Sequence, residues 1–220
     1  MLFITRHILF RQNKVAVDGK LIFSTEGQET YRDFTRKAYR YLGLDYPKFF
    51  KMDGLSKLGF LSVEFLLRDT AIGERYSPSK TGIILTNASS SLEVDEKHYD
   101  TIRDRKSYFP SPSNFVYTLP NIMAGEAAIR HGLKGENAVF ITPAFDPETI
   151  AGITGMAFET GSLDCALCGW VEQYGNDFES LLFLVEKKGD EKDHRKSKED
   201  IIFDPLNLTN IYKAEPAWKN

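Results

Sequence analysis

The segment GENAVFITPAFDPETIAG, residues 135–152, holds the arrangement best suited to covalent chemistry. Val139, Phe140 and Ile141 suit a buried strand, and Asp146 followed by Pro147 reads as an N-cap and a first-turn proline, so a helix starts there. A strand-to-helix turn is a favoured seat for a nucleophile, because N–H groups at the helix N-terminus can hold a developing oxyanion. The turn itself is Thr142-Pro143-Ala144-Phe145 and contains neither cysteine nor serine.

The other residues capable of chemistry fall short of a site. Cys165 and Cys168 form a CxxC pattern inside an apolar run, and positions three apart on a strand face opposite sides of the sheet. A redox pair or a zinc site needs both sulfurs on one side, so these read as buried structural thiols. His7, His98, His131 and His194 are not at metal-ligand spacing from one another. His131 falls at a helix end, where the dipole favours a cation, and His98 follows Asp95, Glu96 and Lys97 on a face expected to be exposed. Ser89, Ser90 and Ser91 follow a strand without a Gly-x-Ser-x-Gly elbow and read as a polar turn. No glycine loop suited to cradling phosphate occurs, and the pattern calls for no metal and no cofactor.

Strands and helices alternate around these positions. Leu2–Phe10 reads as a strand, 12–28 as a hairpin or loop, and Glu29–Leu42 as a helix with Tyr31, Phe34, Ala38 and Leu42 on one face. Gly54–Arg68 is apolar on most sides and should be a buried helix. TGIILTNAS (81–89) is a buried strand, Leu92–Arg103 a helix, 106–118 an ordered proline-containing loop, and Pro120–His131 a helix closed by Gly132. The helix after Asp146 runs to Thr160, and apolar strands 163–171 and 179–186 are joined by a turn at Tyr174-Gly175-Asn176-Asp177. This order predicts an α/β fold. With 220 residues and no evident linker the chain is expected to form one domain, 1–220, with KKGDEKDHRKSKED (187–200) as a solvated loop and 201–220 as a tail.

Composition excludes some classes of function. The 28 basic and 31 acidic residues nearly balance, which gives no support for nucleic-acid binding. No apolar run is long enough to span a membrane. The N-terminus MLFITRHILF carries Arg6 and His7 and no small-residue cleavage site, so no export signal is expected, and two cysteines then fit a reducing cytoplasm.

Four segments in order resemble the N-terminal half of a β-ketoacyl synthase of the thiolase superfamily. KMDGLSKLGFLSVEFLL (51–67) is similar to the family's lead into a long buried helix, and TGIILTNASSSLEVDEKHYDTI (81–102) to its strand, small-residue turn and acidic helix. SPSNFVYTLPNIMAGEAAIRHGLKGENAVFITPAF (111–145) is the strongest match, and DCALCGWVE (164–172) resembles the strand that follows. The resemblance spans about residues 50–186 and leaves the first fifty unmatched. It implies one αβα half of a thiolase architecture, a central mixed, mostly parallel sheet with helices on both faces. In active synthases the strand ends in Thr-Ala-Cys, and Ala144 stands at the position of that acyl-accepting cysteine. The family's two histidines lie in a C-terminal half to which no segment here corresponds.

The family has a use for silent relatives. Chain-length factors pair with an active synthase, and short forms resembling this chain occur in aryl polyene and flexirubin-type pigment systems. The resemblance therefore implies a noncatalytic subunit of fatty acid- or polyketide-type synthesis. Its partner would be a full-length β-ketoacyl synthase in a heterodimer, with acyl carrier protein met only indirectly and a homodimer possible in isolation. By position, Asn114, Phe115, Val116 and Thr118, with Ser89 facing them, would line the end of the partner's acyl tunnel. Phe140 would lie in the strand that pairs across the interface, and 201–213 would fold back over an uncovered helix face. Three alternatives stay open: half of a split ketosynthase, an enzyme of different chemistry using Ser89–Ser91 or Asp146, and a homodimeric binding or scaffold module.

Overall fold

The structure is a computed structural model that describes residues 1–27, 29–187 and 201–214. The chain opens with two tight hairpins. Strand β1 (Leu2–Arg11) turns into β2 (Lys14–Val17) through Gln12-Asn13, and β2 into β3 (Lys20–Ser24) through Asp18-Gly19. All four turn residues have positive φ, between 49° and 73°, as the twist of two-residue hairpins demands. Helix α1 (Tyr31–Tyr41) follows, capped by the Thr30 hydroxyl accepting from the Asp33 N–H. A 3-10 turn at Pro47–Lys51 leads to α2 (Gly54–Leu67), whose N-cap Asp53 accepts from the Ser56 N–H.

The remaining order is α3 (Ile72–Arg75), β4 (Thr81–Asn87), α4 (Leu92–Asp100), α5 (Pro112–Tyr117), α6 (Ile122–His131), β5 (Asn137–Ile141), α7 (Pro147–Glu159), β6 (Cys165–Tyr174), β7 (Asp177–Lys187), β8 (Ile201–Ile202) and α8 (Pro205–Lys213). The strands form one sheet in the order β3-β2-β1-β7-β6-β4-β5, with β8 pairing β1. Helices cover both faces, as the sequence predicts. The sheet is mixed, but the expectation that it is mostly parallel is corrected. Only β4 with β5 and β4 with β6 run parallel; every other described ladder is antiparallel. The reason is local: strands joined by two-residue turns must reverse, and only strands separated by a helical crossover can run together.

A second correction concerns 106–118, expected to be a loop. Residues 112–117 form α5, because Ser111 and Pro112 are an N-cap and N1 proline, with the Ser111 hydroxyl accepting from the Asn114 N–H. The charge run 188–200 lies outside the described residues.

The core has two layers. On one face α2 packs between the sheet and α1 and α6, and from Leu55 to Leu67 only Lys57 escapes burial. Phe10, Phe34 and Phe65 pack edge-on at 5.4–6.2 Å between ring centres. Gly59 lets α6 approach: a Cβ there would sit 2.5 Å from Met123 Cγ. Two buried hydroxyls, Ser62 on α2 and Ser180 on β7, satisfy each other at 2.9 Å. On the opposite face Ile150 of α7 and Leu208 of α8 join Ile84, Cys168 and Phe183 of the sheet in one cluster.

The expected fold-back of 201–213 is present. Leu208 is fully buried, Tyr212 stacks on Phe145 at 4.2 Å and 12°, and Arg11 lies over the Tyr212 ring at 4.9 Å. Arg11 is itself fixed by Nε donating to Glu179 at 2.6 Å. Truncating Leu208→Ala is expected to cost about 2–5 kcal/mol of folding stability, the range for a buried leucine. An unchanged urea midpoint would remove α8 from the cooperative fold.

Candidate functional site

The C-terminal ends of β4, β5 and β6 meet at one edge of the fold, and the elements expected to carry chemistry are gathered there. All seven residues of β4 are buried. Where β4 ends, the chain turns sharply through Ala88-Ser89-Ser90, and Ser90 takes a left-handed φ of 53°. The turn exposes two successive backbone donors on one side, and both are filled by the chain itself. Glu172, on the adjacent strand β6, accepts from the N–H of Ala88 at 2.7 Å and of Ser89 at 3.1 Å through one oxygen. Asn87 holds the turn from within, its Nδ2 donating to the Ser90 carbonyl at 3.1 Å.

The turn after β5 is tied to this one. The Thr142 N–H donates to the Asn87 carbonyl at 2.9 Å, and the Thr142 hydroxyl donates to the Ala144 carbonyl at 2.8 Å. Ala144 is exposed in the turn after β5 and offers only a methyl group. The N-cap of helix α7 comes two residues later. Its cap, Asp146, accepts from the Thr149 N–H at 3.0 Å and the Thr149 hydroxyl at 2.6 Å, and these bonds, the hydroxyl's foremost, hold its carboxyl below the usual range. The donors that could stabilise an anion beside Ala144 thus face a carboxylate already in place. A thiolate formed there would meet a negative charge rather than an open helix N-terminus.

The positions expected to meet a partner lie along a neighbouring surface. β5 hydrogen-bonds only to β4 and is an edge strand among the described residues. Its Phe140 and Ile141 are 37% and 53% exposed. Helix α6 packs beside β5, α5 beside α6, and α4 beside α5. Phe115 and Val116 on α5 are 57% and 46% exposed, and the Phe115 ring rests 5.6 Å from His98 of α4. Asn114 is half-buried near the start of α5, and Thr118 closes it with its hydroxyl donating to the Phe115 carbonyl. Ser89 stands in the β4 turn as expected, but Ser91 makes the link: its hydroxyl donates to the Thr118 carbonyl at 2.9 Å. Sequence reasoning named Ser91 only as part of a polar turn, and it missed Glu172.

The remaining candidates are structural. Cys165 faces the α2 layer and Cys168 the α7 layer, and burial raises both thiols, Cys168 to about 12. His131 lies 3.2 Å and Arg130 2.9 Å from the Glu64 carboxylate. Burial works to raise that carboxyl, and the hydrogen bonds from His131 and Arg130 outweigh it and hold it below its ordinary value. Burial lowers His7, opposed by Asp18 at 3.5 Å. His194 lies outside the described residues. Among the described residues no cluster of His, Cys, Asp and Glu could hold a metal ion, and no helix is long and apolar enough to cross a membrane.

No family model and no curated protein sequence matches the chain. Solved structures do. The chain superposes on the ishigamide ketosynthase/chain length factor with a TM-score of 0.60 at 19% identity, covering 87% of this chain and 63% of that one. It matches a structure of a type II polyketide synthase acyl-carrier protein in complex with its ketosynthase with a TM-score of 0.55 at 14% identity, over 85% and 62% of the two chains. It matches a ketosynthase in complex with its chain length factor from Xenorhabdus doucetiae with a TM-score of 0.51 at 14% identity, over 86% and 80%. The fold is therefore that of the thiolase-like ketosynthases, and the chain spans less than two thirds of the length of the first two.

The Asp146 cap has a pH signature. Its carboxyl is depressed in the folded state, so its stabilisation is full above the unfolded carboxyl value, near pH 4, and is lost as pH falls through the lower native value. Asp146→Ala should lower stability by about 1 kcal/mol at neutral pH. Thermal melts of the two proteins should converge as the pH is taken well below 4. A difference that persists unchanged in acid would contradict the cap's role.

Proposed function

We propose that this chain is a noncatalytic β-ketoacyl synthase-like subunit, a chain-length factor. It pairs with an active full-length ketosynthase in fatty acid- or polyketide-type synthesis of the aryl polyene kind. The observation that carries this reading is Ala144, exposed at the end of a strand whose neighbouring anion-holding donors are engaged by Glu172 and Asp146. The fold fits a ketosynthase half, and the group that would form the acyl thioester is missing from within that half. A split ketosynthase, completed by histidines from another chain, would still lack its nucleophile.

The same surface supplies the pairing edge. β5 offers an open row of backbone donors and acceptors flanked by exposed apolar side chains, the combination that invites a further strand. Its partner in this reading is the equivalent strand of the ketosynthase. In isolation two copies of this chain would use the same edge, since an antiparallel pairing of identical strands is self-complementary. Asn114, Phe115, Val116 and Thr118 would then reach the partner's acyl tunnel, with Ser89 behind them and Phe115 as the bulky gate.

Pairing is tested by titrating the chain into a full-length ketosynthase from the same genome. Phe140→Asp places a charge in the contact and should weaken association about tenfold or more, equivalent to about 1.4 kcal/mol. An affinity equal to wild type, or a wild-type chain that stays monomeric and binds no such synthase, would sink the reading. The gate is tested by product length from the reconstituted pair. Each additional buried CH₂ contributes about 0.8 kcal/mol, so the space opened by Phe115→Ala should lengthen the favoured product by about one or two extension cycles. An unchanged distribution from an intact heterodimer would remove Phe115 from the gate.

A further inference from the structure

A cleft of about 450 Å³ lies away from the β5 edge, between α1, the first turn of α2, α4 and the β6–β7 turn. Four cationic side chains converge on it from three helices: Arg32 and Arg36 from α1, Lys57 from α2 and Lys97 from α4. Glu93 is the one carboxylate on its lining. It is engaged already, by Lys97, by Gln173 Nε2 at 2.7 Å and by the Gly175 N–H at 2.9 Å. The lining therefore holds an excess of three positive charges.

The surrounding groups offset only part of that excess. Arg32 and Arg36 make no ion pair with any described residue. Of the acids flanking Arg36, Glu29 pairs with Lys37, while Asp33 accepts only from the neutral Thr30 hydroxyl and keeps its charge, which offsets part of the excess. Asp53, behind Lys57, caps α2. Lys57 is half-buried, with its ammonium held by the Met52 carbonyl at 2.6 Å. Burial lowers its pKa first; Asp53 opposes this, and the nearby charges of Arg32 and Lys97 lower it further. Arg32, Arg36 and Lys97 are exposed and only Lys57 is half-buried, so the like charges repel weakly through solvent, and an anion entering the cleft would relieve that repulsion. Two guanidinium groups four residues apart on one helix face give forked donors suited to phosphate oxygens. Phe50, 54% exposed on the lining, adds an apolar wall.

We infer that this cleft binds a small molecule carrying a diphosphate group, with Arg32, Arg36 and Lys57 on the phosphates and the organic remainder against Phe50. The site does not depend on the β5 edge or on Ala144, and it stands whether or not the chain pairs with a ketosynthase.

The test is calorimetric titration of the full chain with inorganic pyrophosphate and with ADP, at low and at high ionic strength. Both probes should bind, and more weakly at high salt. The double variant Arg32→Gln/Arg36→Gln should weaken both about tenfold or more, as expected for loss of charge-assisted hydrogen bonds, with an unchanged thermal melt. Phe50→Ala should weaken ADP alone. No binding of either probe at millimolar concentration, or binding that survives the double variant, would overturn the site. An equal loss for both probes in Phe50→Ala would overturn the ring's part in it.

Discussion

Strand β4 is buried along its whole length and paired on both sides, and it runs into a half-buried turn, Ala88–Ser90. That constraint governs what surrounds it. A backbone donor left unpaired in such a place costs about 1–3 kcal/mol, more than a typical internal hydrogen bond contributes. The turn beyond Asn87 presents two successive N–H groups, and the Glu172 carboxylate satisfies both at once. Bonds to a charged acceptor are roughly twice as strong as neutral ones, so one side chain serves where two neutral acceptors would otherwise be needed. Glu172 in turn fixes the end of β6 against the end of β4, and the Thr142 N–H on the Asn87 carbonyl brings in the end of β5.

This internal satisfaction bears directly on what the turn can do. A site that stabilises an oxyanion keeps its donors aimed at a place a reacting atom will occupy. Here the donors at the β4 turn are filled by Glu172 and the α7 N-terminus by Asp146, while Ala144 supplies no reactive atom. Restoring a cysteine at 144 would set a thiolate near the Asp146 carboxylate, and a nearby like charge favours the neutral thiol. The fold keeps the strand-turn-helix frame, and its most exposed apolar features, Phe140, Ile141, Phe115 and Val116, lie on the edge strand and on α5.

Much of this frame was legible before any coordinates. The all-round apolar pattern of 54–67 gave a buried helix, because a helix with no polar face has to be covered. Asp146-Pro147 marked the start of α7, and the three-residue spacing of Cys165 and Cys168 placed their sulfurs in separate layers. Ser111-Pro112 carries the same cap signal as Asp146-Pro147, yet the nearby prolines drew the reading toward a loop. Strand direction was overread as mostly parallel because the resemblance covers the helical crossovers and leaves out the first hairpins, where Gln12-Asn13 and Asp18-Gly19 force reversal. Glu172 could not be read as the partner of Ala88 and Ser89: more than eighty residues separate them, and only the sheet order brings them together. The cationic cleft was equally hidden, since its four side chains come from three helices and no local pattern joins them.

In the proposed reading the chain has a ketosynthase-like fold and does not carry out the condensation. The most direct measurement is mass-spectrometric detection of β-ketoacyl product when the purified chain, alone, is given acyl and malonyl thioesters on an acyl carrier protein. No product above the protein-free background is expected, from the wild type or from Ala144→Cys, because the backbone donors nearby are engaged by Glu172 and Asp146. Condensed product from the wild-type chain by itself would contradict it.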